Sequence, residues 1–293
     1  MQPEQVTIIG AGAAGIAAAI QLKRWGISPI VLEKAHIGGL LVNANLVENY
    51  PGYPQGISGP ELVALFQAQM ERIGVEVSFE EVLEVDYQDR FLVRTSKRQF
   101  ASRYLIIASG TSPKPFPEIE IHDDITNRVV SEIHPLLNLT GITVAIVGAG
   151  DAAFDYAINL STNTNKVTIL NRTNKRKCLP LLWERCQKLP QIEYVENISV
   201  KSMSRSDGGV ILECQTPKGD WELKVDYVIL AIGRVEQRGF LSTRLEAIVS
   251  ELESKGILYF AGDVKNGIFR QTSIAVGDGV KAAMKICRKL ETT

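Results

Sequence analysis

Thiol and imidazole chemistry is scarce in this chain. Four cysteines, Cys178, Cys186, Cys214 and Cys287, and three histidines occur among 293 residues. No two cysteines form Cys-x-x-Cys, and no cysteine or histidine spacing matches a zinc site, so neither a local redox dithiol nor a bound metal is expected. Cys178 and Cys186 lie near one another in the sequence beside a basic run, but a disulfide needs short Cα separations that sequence does not supply. Unpaired thiols of a reducing compartment are the expectation. Charge imbalance is also lacking: the formal net charge is −1, which gives no electrostatic reason to invoke nucleic acid or an anionic membrane. Long apolar runs are missing too, and no segment supplies the roughly 18 uninterrupted apolar residues of a membrane span. The apolar stretch Val6 to Ile20 lacks a basic leader and is punctured by glycines, unlike a secretory signal. A cytoplasmic protein is expected.

What the chain does have is a dinucleotide signature. Val6-Thr-Ile-Ile runs into Gly10-Ala-Gly12-Ala-Ala14-Gly15 and then into an alanine-rich segment. That order gives a strand, a tight turn and a helix N-terminus. Gly10 permits the turn, Gly12 lets backbone approach a pyrophosphate, and Gly15 lets the helix pack on the strand. The helix start offers free N–H groups to the anion. Glu33 closes the next strand, Ile30–Glu33, where it can accept hydrogen bonds from a ribose diol.

The pattern recurs. Ile142–Val147 leads into Gly148-Ala-Gly150-Asp151-Ala152-Ala153, then a helix to about Leu160 and a strand over Lys166–Leu170. Ala153 replaces the third glycine, an accepted variant. Two such units argue for two dinucleotides and for electron transfer between them. The length suits two domains.

Between the units, residues 38–54 read as a long glycine-, proline- and asparagine-rich loop, a length that usually serves function. An amphipathic helix is expected from Gly59 to about Ile73. Strands are expected near 75–79, 81–87, 90–96 and 104–108. Pro113, Pro115 and Pro117 read as a linker. Strands at 227–231 and 257–260 and a last helix over 273–290 complete the pattern. His36 and His122 read as exposed loop residues. The fold class is α/β: two Rossmann-like, three-layer dinucleotide-binding domains, the second (114–237) inserted into the first (1–113 plus 238–293).

These residues, with Gly38-Gly39, Val47-Glu-Asn-Tyr-Pro-Gly-Tyr-Pro54, Gly56–Leu62, Ala231-Ile232-Gly233, Phe260-Ala-Gly262-Asp263 and Phe269–Thr272, carry a resemblance. Over essentially its whole length the chain resembles the low-molecular-weight thioredoxin reductases and their relatives, class II of the pyridine nucleotide-disulfide oxidoreductases. The resemblance implies FAD in the split first domain and NADPH in the inserted one, with crossings near Lys114 and Gln237 as hinges. It further implies a homodimer. Carried over by position, it places Gly10, Gly12, Ala14, Gly15, Glu33, Lys34, Gly39, Val82, Ala108, Gly110 and Gly262 along FAD. Asn49 meets the flavin ring, Asp263 the ribityl or phosphate end, and Arg270, Gln271 and Thr272 the pyrimidine edge. It likewise places Gly148, Gly150, Asp151, Ala152, Ile232 and Gly233 at the nucleotide. Leu40 departs from relatives, which often carry a polar residue there.

The second site's preference is a matter of charge. An acidic residue closing its second strand would repel a 2′-phosphate. This chain instead reads Leu170-Asn171-Arg172-Thr-Asn-Lys175-Arg176-Lys177, and its cations suit a phosphate. Arg172, Arg176 and Lys177 are the candidates, which favours NADPH over NADH.

The decisive departure lies before the second unit. Relatives carry Cys-x-x-Cys-Asp there; counting back from Val144, those positions fall on Ser131-Glu-Ile-His134-Pro135. Serine cannot carry electrons as a disulfide does, so the dithiol relay to thioredoxin is not expected. No catalytic side chain is firmly indicated, although His134 could donate a proton. The expected function is an FAD-dependent, NADPH-linked oxidoreductase with an unidentified acceptor. The alternatives are a ferredoxin- or flavodoxin–NADP reductase type, a pyridine-nucleotide-independent flavoprotein, or a non-catalytic flavin-binding redox module. The ferredoxin-reductase type usually carries an aromatic-containing segment after its last helix, whereas this sequence stops at Thr293.

Overall fold

A computed structural model describes residues 4–116, 121, 124–163 and 165–291; Pro117 and His122 lie outside them. The first strand–turn–helix unit comprises β1 (Glu4–Ile9), α1 (Ala13–Arg24) and β2 (Ile30–Glu33). Small side chains let α1 bury Ala14, Gly15, Ala17, Ala18 and Ala19 with Ile16 and Leu22. After the loop, α2 (Gly59–Arg72) opens with a capping box: the Ser58 hydroxyl accepts from Glu61 N at 3.3 Å, and the Glu61 carboxylate accepts from Ser58 N at 3.1 Å.

Strands β3 (Val77–Phe79), β4 (Val82–Tyr87), β5 (Phe91–Thr95) and β6 (Gln99–Ile107) follow. β6 begins well before Tyr104, where the sequence suggests it. Its polar first part pairs antiparallel with β5 (Phe91 opposite Ser102, Arg94 opposite Gln99), and its apolar second part pairs parallel with β1. A continuous apolar run marks only the part buried on both faces. β7 (Thr111–Pro113) then leaves this unit.

The second unit holds β8 (Val129–Val130), β9 (Thr143–Val147), α3 (Asp151–Ser161), β10 (Lys166–Leu170), α4 (Pro180–Cys186) and β11 (Ile192–Val195). Next come an antiparallel meander, β12 (Ser199–Ser206), β13 (Gly209–Thr216) and β14 (Gly219–Val225), then β15 (Tyr227–Leu230) and β16 (Arg234–Glu236). The parallel sheet has the order β11-β10-β9-β15-β8. The meander takes the place of a crossover helix between β11 and β15. Its Met203, Val210, Leu212 and Cys214 pack in one core with Ala145, Leu170 and Val228.

The chain then adds α5 (Thr243–Ser254), β17 (Leu258–Phe260) and α6 (Thr272–Glu291) to the first unit. The sheet there is seven-stranded, ordered β3-β2-β1-β6-β5-β4, with β17 parallel to the last part of β6. Helix α5, which the sequence reading did not anticipate, buries Leu245, Val249 and Leu252 and is capped by Ser242.

By contact density the chain divides into Met1–Val42, Val47–Ser112 and Glu236–Thr293 as one compact unit, and Asn43–Leu46 with Pro113–Val235 as the other. The fold is α/β, with two Rossmann-like units built on parallel sheets. Among the described residues no helix is long and apolar enough to cross a membrane. No group of three or more histidine, cysteine or acidic side chains among them could hold a metal.

Candidate functional site

In the first unit the glycine turn is set by backbone contacts. Gly10 has φ +102°, and a Cβ there would lie 2.4 Å from the Ala108 carbonyl oxygen; one on Gly15 would lie 1.9 Å from that of Gly10. Neither position admits a side chain. Gly12 differs: it is the N-cap of α1, no side chain caps that end, and a Cβ there would meet nothing within 4 Å. The helix N-terminus therefore opens onto free space, with the macrodipole favouring an anion. The loop returns to this point, since Gly38 N donates to Ala11 O at 2.8 Å and a Cβ on Gly39 would lie 3.5 Å from Gly12 Cα.

At the end of β2 the Glu33 carboxylate accepts from Ala11 N at 2.8 Å and Ala35 N at 2.9 Å, which fixes its orientation. Gly10, Glu33, Lys34 and Val82 line one cleft together with Glu80, Ser109, Gln237 and Phe240. The sequence reading missed those last four. Glu80 arrives in the β3–β4 turn, where its N–H donates to Glu33 O at 2.8 Å, Ser109 follows the end of β6, and Gln237 and Phe240 come with the return from the second unit. Burial raises the Glu80 carboxyl, but hydrogen bonds from Thr95 and Arg98 outweigh it and hold the group below the usual carboxylate range.

A second cluster in this unit joins residues far apart in sequence. Asn49 Nδ2 donates to Gln271 Oε1 at 2.7 Å, and Ser273 Oγ donates to Asn49 O at 3.3 Å. Arg270, Gln271 and Thr272 stand at the start of α6, and Asp263 lies in the short turn Gly262–Val264.

The second unit repeats the device. Gly148 has φ +124°, and a Cβ there would lie 2.3 Å from Ala231 O, so the turn rests on the segment that carries Ile232 and Gly233. Gly150 caps α3 without a side-chain acceptor, again with nothing within 4 Å of a Cβ. Asp151 Oδ1, in the first helical turn with Ala152, accepts from Leu179 N at 2.7 Å. The basic loop comes back to the glycine turn, with Lys177 N donating to Ala149 O at 3.0 Å. Its shape depends on buried Asn171, whose Nδ2 donates to Lys175 O at 3.2 Å and to the Tyr194 hydroxyl at 2.8 Å. Arg172, Arg176 and Lys177 are all exposed. Arg176 is partly engaged, 4.1 Å over the Trp183 ring and 3.9 Å from Glu196. Neither Asn171 nor Trp183 stood out in the sequence, because their contacts cross between elements.

The stretch Ser131–His134 is gathered by one amide. Asn43 Oδ1 accepts from Ile133 N at 3.1 Å and His134 N at 2.9 Å, while Asn43 Nδ2 donates to Glu132. Glu132 pairs with Arg234 at 3.3 Å. His134 itself is exposed and opens a short helical turn, His134–Leu136. Nearby, Asp155 accepts from Asn45 N at 3.0 Å, and burial pushes its carboxyl up to about 6. Burial also pushes Tyr156 up to about 12.

The cysteines are unpaired in the structure. Cys178 precedes α4 and Cys186 ends it. Burial pushes the Cys186 thiol up to about 12 and the Cys214 thiol up to about 11, which disfavours thiolate.

The profile of the pyridine nucleotide-disulphide oxidoreductase family matches residues 4–279. A thioredoxin reductase of Bacillus subtilis is 28% identical, covering 98% of this chain and 94% of its own. NADPH-dependent thioredoxin reductase 3 of Arabidopsis thaliana is 29% identical, covering 98% of this chain but 58% of its own length. Among solved structures, thioredoxin reductase of T. acidophilum matches with a TM-score of 0.84 at 27% identity, over 99% of this chain and all (100%) of that one. A bacillithiol disulfide reductase of Bacillus cereus shares the fold, with a TM-score of 0.74 at 20% identity over 98% of this chain and 100% of that one. With a family profile spanning both glycine turns and the first part of the last helix, this chain belongs to the pyridine nucleotide-disulphide oxidoreductases and is thioredoxin reductase-like.

Proposed function

We propose that this chain is an FAD-dependent oxidoreductase that takes hydride from NADPH in preference to NADH and passes electrons on without a dithiol relay. The observation that carries the reading is one device built twice, a glycine-capped helix N-terminus open to solvent at Gly12 and again at Gly150. Each suits a pyrophosphate, and two suit a pair of dinucleotides. Both sites fit their groups: a Cβ at either glycine would occupy the space the phosphates need, and Glu33 is held ready for a ribose diol.

FAD is assigned to residues 1–113 with 238–293, and NADPH to residues 114–237, on the resemblance to thioredoxin reductases. Bound FAD supplies hydride-accepting and electron-transferring chemistry. The chain's own residues bind and orient. Gly12 and Gly39 face the pyrophosphate, Glu33 and Lys34 the adenosine, and Asn49 and Gln271 the ring. The start of α6 places positive helix dipole at the pyrimidine edge, where it stabilises negative charge. At the second site β10 ends in Asn171, not an acid, and the loop after it presents cations beside the Gly148–Gly150 turn. The phosphate role falls on Arg172, Arg176 and Lys177, all exposed on that loop. The acceptor is unassigned, and a homodimer is proposed by likeness to thioredoxin reductases.

The test is anaerobic mixing of the purified flavoprotein with NADPH and, separately, NADH, following flavin absorbance. Rapid bleaching by NADPH, slower by NADH, is expected, and Arg172→Ala should weaken the NADPH response more than the NADH response. Bleaching by dithionite but by neither nucleotide would overturn the donor assignment and favour a pyridine-nucleotide-independent flavoprotein. An apoprotein that takes up no FAD would overturn the reading at its first step.

A further inference from the structure

Asp278 is outside every dinucleotide contact assigned above, yet the first unit's binding elements converge on it. It lies in α6, with a side chain only 16% exposed. Its Oδ2 accepts from Gly262 N at 3.1 Å and from Asn266 Nδ2 at 2.6 Å, and its Oδ1 pairs with Lys265 Nζ at 3.3 Å. Asn266 Nδ2 also donates to Gly262 O at 3.0 Å. All three partners lie in, or within two residues after, the Gly262–Val264 turn that carries Asp263.

The same helical turn fixes α6 against α1. A Cβ on Gly279 would lie 2.0 Å from Ala14 O and 3.1 Å from Ala18 N, so the two helix backbones touch. Gly262, at φ +77°, is wedged between them: a Cβ there would lie 2.9 Å from Ala14 Cβ and 3.4 Å from Ala275 Cβ. The backbone of the turn therefore sits between two helix walls, and its N–H and cation are held by one carboxylate on one of them.

We propose that Asp278 is a positioning residue for FAD, fixing the Gly262–Val264 turn, and with it Asp263, in register with the N-termini of α1 and α6. This rests on the assignment of FAD to the first unit. A carboxylate is suited to the task because it accepts two hydrogen bonds on one oxygen and an ion pair on the other. An amide keeps one acceptor, loses the charge and sets an N–H₂ group toward a donor.

The experiment is titration of apoprotein with FAD, read by flavin fluorescence and visible absorbance, with the thermal midpoint of each apoprotein measured alongside. Asp278→Ala should raise the FAD dissociation constant at least tenfold and alter the flavin absorbance envelope. Asp278→Asn should fall between Asp278→Ala and the parent chain, and it keeps the question answerable if the alanine variant does not fold. Lys281→Gly, at an exposed position of the same helix, lowers helix propensity without touching the turn. It should lower the midpoint while leaving FAD affinity unchanged. Parent-like affinity and absorbance in the Asp278 variants would overturn the proposal, as would equal weakening by Lys281→Gly. Failure of the parent apoprotein to bind FAD would instead overturn the assignment beneath it.

Discussion

Asp155 sits in an environment that its sequence context does not announce. On a helix written Asp-Ala-Ala-Phe-Asp-Tyr it reads as an ordinary polar position, yet burial raises its carboxyl from 3.8 to about 6, against the lowering effects of the Asn45 N–H and Arg185. Asp151 adds a smaller upward push. Because the folded value lies above the unfolded one, the folded state disfavours the anion. Stability is full below pH of about 4 and falls as pH rises through about 6. A shift of roughly two units corresponds to about 3 kcal/mol. Asp155→Asn keeps an oxygen for the Asn45 N–H and removes the charge. It should raise the thermal midpoint by several degrees at pH 8, with the gain vanishing toward pH 4. Midpoint profiles that stay parallel to the parent's across that range would contradict the buried-anion account. The glycine turns were legible residue by residue because they are local. Asn43, Asn171, Asp155 and Asp278 were not, because each acts on a partner distant in sequence.

Elements with a strong local signal formed where the sequence placed them. Helix α2 is the clearest case: Ser58-Gly-Pro-Glu61 supplies N-cap, proline and capping-box glutamate before Leu62, Val63 and Phe66 enter the core. Ser58→Ala removes the side-chain acceptor of that cap and should cost about 1 kcal/mol, read as a lower denaturation midpoint with unchanged slope. A loss within error would mean that Pro60 and the packing of Phe66 set the helix start without the cap. Elements defined by pairing fared differently. The first part of β6 carries Gln99, Ser102 and Arg103, and becomes strand because β5 lies beside it. The β12–β14 meander alternates polar and apolar residues, and its strands are defined by pairing with one another and not by a strand–helix repeat. Its Leu212 and Cys214 are buried because β13 has one face on the core.

For the molecule as a whole, the proposed function turns on the absence of Cys-x-x-Cys from the sequence. Supplied with NADPH and oxidised thioredoxin, the protein should release no thiol above the rate without enzyme, although its flavin is reduced. Sustained thiol release would refute the claim and would require two cysteines to form a redox pair, whereas all four are free thiols in this fold. Local order settled a great deal. Strand, glycine turn and helix N-terminus are short-range features, so their repetition announced two Rossmann-like units, and the cations after β10 were legible as an exposed basic loop. What local order could not contain is every feature made by closure across long separations. The Asn49–Gln271 hydrogen bond spans 222 positions, the Gly262–Asp278 clamp joins a turn to a helix, and Asn171 shapes the basic loop through Tyr194. Such contacts exist only once packing has removed water and brought distant polar groups within hydrogen-bonding reach, where leaving either partner unsatisfied is costly.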